Sequence, residues 1–192
     1  METNNQHINQ LLERCKNSDQ NAQMQVYKGY YKAMYNVAFR ILRDEFEAED
    51  IMQEAFLTAF TKLDTFKAEV TFGAWLKRIV INKSLTQLKK NSRYEEVKMD
   101  VIPNYEIVEE KVDYSSLKAS SVVDKINSLK QNYQLILTLN LIEGYDYEEI
   151  SEIMGYTNEN VRTTISRAKK KLKQVLLEET TNTTLYLSLI HI

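Results

Sequence analysis

Helix breakers are almost missing from this chain. Pro103 is the only proline, and Gly29, Gly73, Gly144 and Gly155 are the only glycines among 192 residues. Abundant Leu, Ile, Lys and Glu add helix propensity to a backbone that little interrupts. No stretch alternates apolar and polar residues between turn signals, so almost no strand is expected. Apolar residues make up 43% and charged residues 27%, ordinary values for a globular protein. The expected fold class is all-α.

Periodicity divides the chain. Residues 21–93 form a first helical unit after an N-terminal extension, 1–20. Within it Val26, Tyr27, Tyr30, Tyr31, Met34, Tyr35, Val37, Ala38, Ile41 and Leu42 give one helix a wide apolar face. A second helix begins in the acidic run from Asp44 to Glu49 and repeats Ile51, Ala55, Ala59 and Leu63 every four residues. Thr71 caps a third, with Phe72, Trp75, Leu76, Ile79, Val80 and Leu88 apolar. Residues 94–120 lack helical periodicity and carry Pro103, so they read as a flexible acidic linker. Residues 121–177 form a second unit, with helices near 122–129 and 133–142. A Thr/Asn-rich break then opens a tail, 178–192, expected to be disordered.

The end of the second unit carries the clearest chemistry. Asp146, with Glu149 three residues on, forms a capping box. Gly155 suits the left-handed residue that ends a helix, and Thr157 or Asn158 caps the next one. Val161, Ile165, Ala168 and Leu172 make its apolar stripe, while Arg162, Thr163, Ser166, Arg167 and Lys170 face outward. Arg162, Arg167, Lys169, Lys170, Lys171 and Lys173 follow one another with no acid between them. A charge run alone is usually a solvated face. Two short helices joined by a Gly-containing turn, the second one cationic, instead match a helix-turn-helix able to enter the DNA major groove.

The net charge of −2 hides a strong pattern. An acidic block (Asp44 to Glu54) precedes a basic one that includes Lys67, Lys77, Arg78, Lys83, Lys89, Lys90 and Arg93. The acidic linker and the basic C-terminal helix follow. Two basic segments separated by an acidic one imply two nucleic-acid footprints and at least one further partner.

Other classes find little support. Cys15 is the only cysteine, so no intramolecular disulfide forms and a reducing cytosol fits. His7 and His191 lie near the termini, and no His/Cys cluster is spaced for a metal. No apolar run approaches the roughly 20 residues that span a bilayer, and the N-terminus lacks a signal-peptide core. No nucleophile has a base at a catalytic spacing and no Gly-rich phosphate loop appears, so no catalysis and no cofactor are expected.

Two helical units, an acidic linker and a C-terminal helix-turn-helix together resemble a bacterial RNA polymerase sigma factor of the small extracytoplasmic-function group. The resemblance covers about residues 21–177 and rests on three segments in order. Residues 48–56 (AEDIMQEAF) look like the segment that binds the polymerase clamp. Residues 72–82 (FGAWLKRIVIN) look like the minus-ten promoter helix. Residues 147–155 (YEEISEIMG) with 161–169 (VRTTISRAK) look like the minus-thirty-five reader.

The resemblance implies that Asp50, Gln53 and Glu54 face the clamp coiled coil, with the polymerase flap as a second contact. It implies that Lys67, Thr71, Lys77, Arg78, Asn82 and Lys83 hold the non-template strand. Trp75 is the tempting base-stacking residue, but its spacing with Phe72 and Ile79 favours core packing. Arg162, Thr163, Ser166, Arg167 and Lys170 would contact the minus-thirty-five element, with Thr164 standing where relatives often carry a cation. The segment 128–132 lacks the proline usual after its leucine. The implied function is a dissociable polymerase subunit that recognises a bipartite promoter, helps melt it and directs initiation. The implied partners are core RNA polymerase, promoter DNA and an anti-sigma factor, often at the inner membrane, with no membrane insertion by this chain. The implied location is the cytoplasm. The alternative is a free-standing helix-turn-helix regulator whose first unit senses or dimerises.

Overall fold

The computed structural model describes residues 2–91 and 119–190, with side chains described at 7–91 and 122–177. Among the described residues there are eight α-helices and no strand. They fall into two compact units, Met1–Arg93 and Tyr94–Ile192. The expected linker, 94–120, lies outside the described residues except for its last two positions, which begin a helix.

The first unit comprises α1 (Glu2–Lys16), α2 (Gln20–Leu42), α3 (Glu45–Thr61), a 3₁₀ turn (Leu63–Thr65) and α4 (Phe72–Lys90). The N-terminal segment is not a mere extension, because α1 packs on α2 and on the 3₁₀ turn. Ile8, Leu11, Leu12 and Cys15 recur at helical spacing, and the last three are buried. Removing each such leucine from water contributes about 1.5–3 kcal/mol, which offsets the segment's polar composition. Burial, with help from the charge of Asp19, raises the Cys15 thiol above its ordinary pKa.

Short polar devices set the helix boundaries. Asp19 caps α2 by accepting from the backbone N–H groups of Asn21 (2.9 Å) and Ala22 (3.1 Å). It also pairs with the Arg14 guanidinium at 2.8 Å. The Ala22 hydrogen bond, then that of Arg14, holds its carboxyl below the usual carboxylate range. Asp44 caps α3 through Glu47 N–H at 3.0 Å, and Thr71 caps α4 through Ala74 N–H at 3.3 Å. Helices α2, α3 and α4 pack mutually. The α3 face turned inward is lined by Ala48, Ala55 and Ala59, each 0% exposed, with Ile51, Met52 and Phe56 beside them.

The second unit comprises α5 (Ala119–Ser128), α6 (Gln131–Leu137), a π-helical turn (Thr138–Ile142), α7 (Tyr147–Met154) and α8 (Asn158–Ile190). Five consecutive residues, Leu135 to Leu139, are buried. A helix that hides its whole circumference is central to a core, and α6 packs on both α5 and α8. The continuous helix expected over 133–142 instead widens into the π turn, closed by Glu143 N–H on the Thr138 carbonyl at 2.9 Å. The expected irregular tail is also revised, since α8 continues through 178–190. Thr and Asn are only mildly unfavourable inside a helix, and no Gly or Pro stands in that stretch to break it.

Ala55→Leu forces a larger side chain into the α2–α3–α4 contact and should destabilise the first unit by about 1–3 kcal/mol in urea unfolding. Gly155, at φ 72°, should resist substitution. Gly155→Ala is expected to cost about 1–2 kcal/mol in the same measurement. Because the folded-state pKa of Asp19 is depressed, its contribution is present above the ordinary carboxylate range and lost as pH falls through the lowered value. Amide exchange at the start of α2 should therefore accelerate only on the acid side of that range, and Asp19→Asn should flatten the dependence.

Candidate nucleic-acid interface

In the second unit, α7 and α8 form the helix-turn-helix that the caps imply. The Asp146 carboxylate accepts from Glu149 N–H (2.8 Å), and the Glu149 carboxylate accepts from Asp146 N–H (2.9 Å). Gly155 ends α7 in the left-handed region with its N–H on the Ser151 carbonyl at 2.9 Å. The Ser151 hydroxyl donates to the Tyr156 carbonyl and ties the turn down. Thr157, rather than Asn158, is the capping side chain of α8, accepting from Asn160 N–H at 3.3 Å.

Val161, Ile165, Ala168 and Leu172 are buried. Arg162 and Lys170 are exposed, while Thr163, Ser166 and Arg167 are half-buried. At about 100° per residue these five positions share one arc of roughly 140°. They therefore form one surface able to meet phosphates and base edges. Thr164 is not on that surface: it is 4% exposed and belongs to the core. The cation missing there is no vacancy on the outward face. Across the turn, the Arg162 guanidinium carbon lies over the Tyr147 ring, 5.7 Å from its centroid.

In the first unit, the candidate strand-binding residues do not share one face. Arg78 and Asn82 lie one turn apart, on the side of α4 that also bears Trp75. Lys77 and Lys83 diverge to either flank, as neighbours on a helix must. Lys83 turns toward α3, where its ammonium donates to the Glu54 carboxylate at 3.1 Å. Lys77 is half-buried, as is Arg78, and Asn82 is exposed. The Thr71 oxygen serves the α4 cap, and Lys67 is exposed on the preceding loop. Beside Lys67, Ala68 sits at φ 57°, a left-handed conformation rare for a residue with a Cβ.

Trp75 is half-buried. It packs on Phe66 (centroids 5.3 Å apart) and Phe72 (5.8 Å), which continue the cluster to Tyr30. The expected packing is present, but part of the indole remains accessible. Gly73 sits where a Cβ would meet Tyr30 Cε1 at 3.0 Å, so its lack of a side chain lets α4 approach α2 at this point.

On α3, Asp50, Gln53 and Glu54 are all exposed along one face. Gln53 donates to Glu49 at 3.2 Å. Sequence reading missed two neighbours on that face, Phe46 and Leu57, which are 82% and 68% exposed. Their spacing from Asp50 and Gln53, four and seven residues on either side, was the available signal. Among the described residues, no group of three or more His, Cys, Asp or Glu could hold a metal ion. No helix among them is long and apolar enough to cross a membrane.

Comparison with known proteins accounts for both units. A family model described as sigma-70 region 2 matches residues 26–94, and one described as sigma-70, region 4 matches residues 120–172. The ECF RNA polymerase sigma factor SigW of Bacillus subtilis (strain 168) is 28% identical over 187 residues, covering 88% of this chain and 96% of the relative. The ECF RNA polymerase sigma-E factor of Escherichia coli (strain K12) is 28% identical over 173 residues, covering 84% and 90%. Among solved structures, the sigma factor RpoE from Bartonella quintana, in complex with the anti-sigma factor NepR, matches with TM-score 0.54 and 25% identity. That match covers 80% of this chain and 95% of the other. With both regions matched in order, and with relatives aligned along nearly their whole length, the chain belongs to the extracytoplasmic-function sigma factors of bacterial RNA polymerase.

Proposed function

We propose that this chain binds core RNA polymerase, recognises a bipartite promoter, helps melt its minus-ten element and directs transcription initiation. The observation that carries the reading is the capped helix-turn-helix with one cationic, acid-free face on α8. On this reading Arg162 and Arg167 meet guanine edges or phosphates of the minus-thirty-five element. Thr163, Ser166 and Lys170 complete that surface.

The α3 face is the polymerase-binding surface. Asp50, Gln53 and Glu54 complement a basic coiled coil, and exposed Phe46 and Leu57 add apolar anchors. Residues Lys67, Thr71, Lys77, Arg78, Asn82 and Lys83 surround the melted strand, with Arg78 and Asn82 on one side of α4. The accessible part of Trp75 lies on their side of α4 and could take a stacked base. The first unit thus serves the polymerase and the minus-ten element, and the second serves the minus-thirty-five element. The linker assigned at 94–120 connects them.

The chain itself performs no catalysis and lends specificity to an enzyme. An anti-sigma protein is its regulatory partner, a reading supported by the complex in which the Bartonella relative was solved. Its place of work is the cytoplasm, where polymerase and promoters meet.

Run-off transcription with purified core polymerase on a pool of genomic fragments tests the proposal. Discrete transcripts that share an upstream bipartite element are expected only when the protein is added. Arg162→Ala with Arg167→Ala should cut those transcripts at least about tenfold, since each good base contact contributes about 1–3 kcal/mol. Asp50→Ala with Gln53→Ala should weaken binding to core polymerase without altering DNA preference. Tight sequence-specific DNA binding without polymerase, and no new transcripts, would instead favour a free-standing regulator.

A further inference from the structure

We propose that Tyr147, the first residue of α7, is a positioning residue for Arg162 of α8, so that base choice by the reader helix depends on a ring carried by the other helix. The inference rests on the reading of α8 as the DNA-contacting helix. Its observation is separate: the Arg162 guanidinium carbon lies 5.7 Å from the Tyr147 ring centroid, within the range of a cation–π contact.

The two partners differ in mobility. Arg162 is exposed near the start of α8, and an exposed arginine samples many rotamers that binding must freeze. Tyr147 has far less freedom. Its backbone sits in the first turn of α7 between Asp146 and Glu149, which satisfy each other's N–H groups in the capping box. Its ring is half-buried. A fixed ring thus holds the flat guanidinium before DNA arrives, and less entropy remains to be lost on binding. Residues at the N-terminal end of a recognition helix are those that reach base edges, so the arginine held this way is well placed to specify a base. A guanidinium drawn to a ring face by cation–π attraction still has N–H donors to offer a bidentate acceptor.

The test uses the full chain assembled with core RNA polymerase and a duplex selected by that complex from a randomised pool. Tyr147→Leu should weaken duplex binding roughly two- to fivefold. It should relax base preference at the same single position as Arg162→Ala. Tyr147→Phe, which keeps the ring, should behave as wild type. Tyr147→Leu should have no further effect once Arg162 is Ala. An equal loss from Tyr147→Leu in the Arg162→Ala background would overturn the proposal, because it would mark a structural role. So would a Phe variant as weak as the Leu variant. If Tyr147→Leu lowers the melting temperature of the second unit, Tyr147→Trp decides. A Trp variant with unchanged base preference and at least wild-type affinity supports the proposal, and one as weak as Arg162→Ala overturns it. Arg162→Ala with unchanged affinity and unchanged preference would refute the DNA reading of α8 itself, a result distinct from failure of the Tyr147 coupling alone.

Discussion

Three alanines on one face of α3 govern the first unit. Ala48, Ala55 and Ala59 are wholly buried, and helix axes approach more closely where the side chains between them are small. Helix α3 can therefore lie against α2 and α4 together. Small Ala22 and Ala38 on α2 are equally buried. The larger residues then fill the remaining space as Leu76, Val80, Ile81 and Leu88 from α4 and Val26 from α2. The tie between Asn91 and Glu47, at the end of α4 and the start of α3, fastens the same pair at one end. Because α3 buries only this face, its opposite side is free to carry Phe46, Asp50, Gln53 and Leu57 into solvent. Packing and presentation are two sides of one short helix.

The second unit reaches the same result by another route. Its chain is buried on all sides through Leu135–Leu139, at the end of α6 and the start of the π turn, and α8 is oriented by small polar contacts. The side chains of Asn140 and Ser151 hold the backbone carbonyls of Tyr145 and Tyr156, one on each side of α7. Hydrogen bonds of this kind contribute about 0.5–1.5 kcal/mol each. They fix the direction of α8 as well as its stability.

Local rules make the helix-turn-helix legible from its residues alone. A capping box, a left-handed glycine and a four-residue apolar repeat are each written within a few neighbours, so Asp146, Gly155 and Val161 to Leu172 identify the motif directly. Helix α1 is less legible: Ile8, Leu11, Leu12 and Cys15 recur at helical spacing, but their polar surroundings mask it. The burial of Thr164 is harder to see, because a threonine tolerates either side of a helix. The pairing of Lys83 with Glu54 has no local signature, since the two are 29 residues apart and meet only through the packing of α4 on α3. The π turn at Thr138–Ile142 likewise follows from core packing rather than from any residue that demands it.

The Lys83–Glu54 contact makes two surfaces share one pair of charges. A cationic partner that takes the Glu54 carboxylate leaves the Lys83 ammonium without its counter-ion. A polyanion that draws Lys83 away leaves Glu54 bare. Each ligand thus removes a competitor of the other, and thermodynamic linkage requires the benefit to be equal in both directions. An exposed pair of this type contributes at most about 1 kcal/mol, so the mutual gain amounts to no more than about fivefold. It is a bias rather than a lock, and salt weakens it along with the ion pair itself.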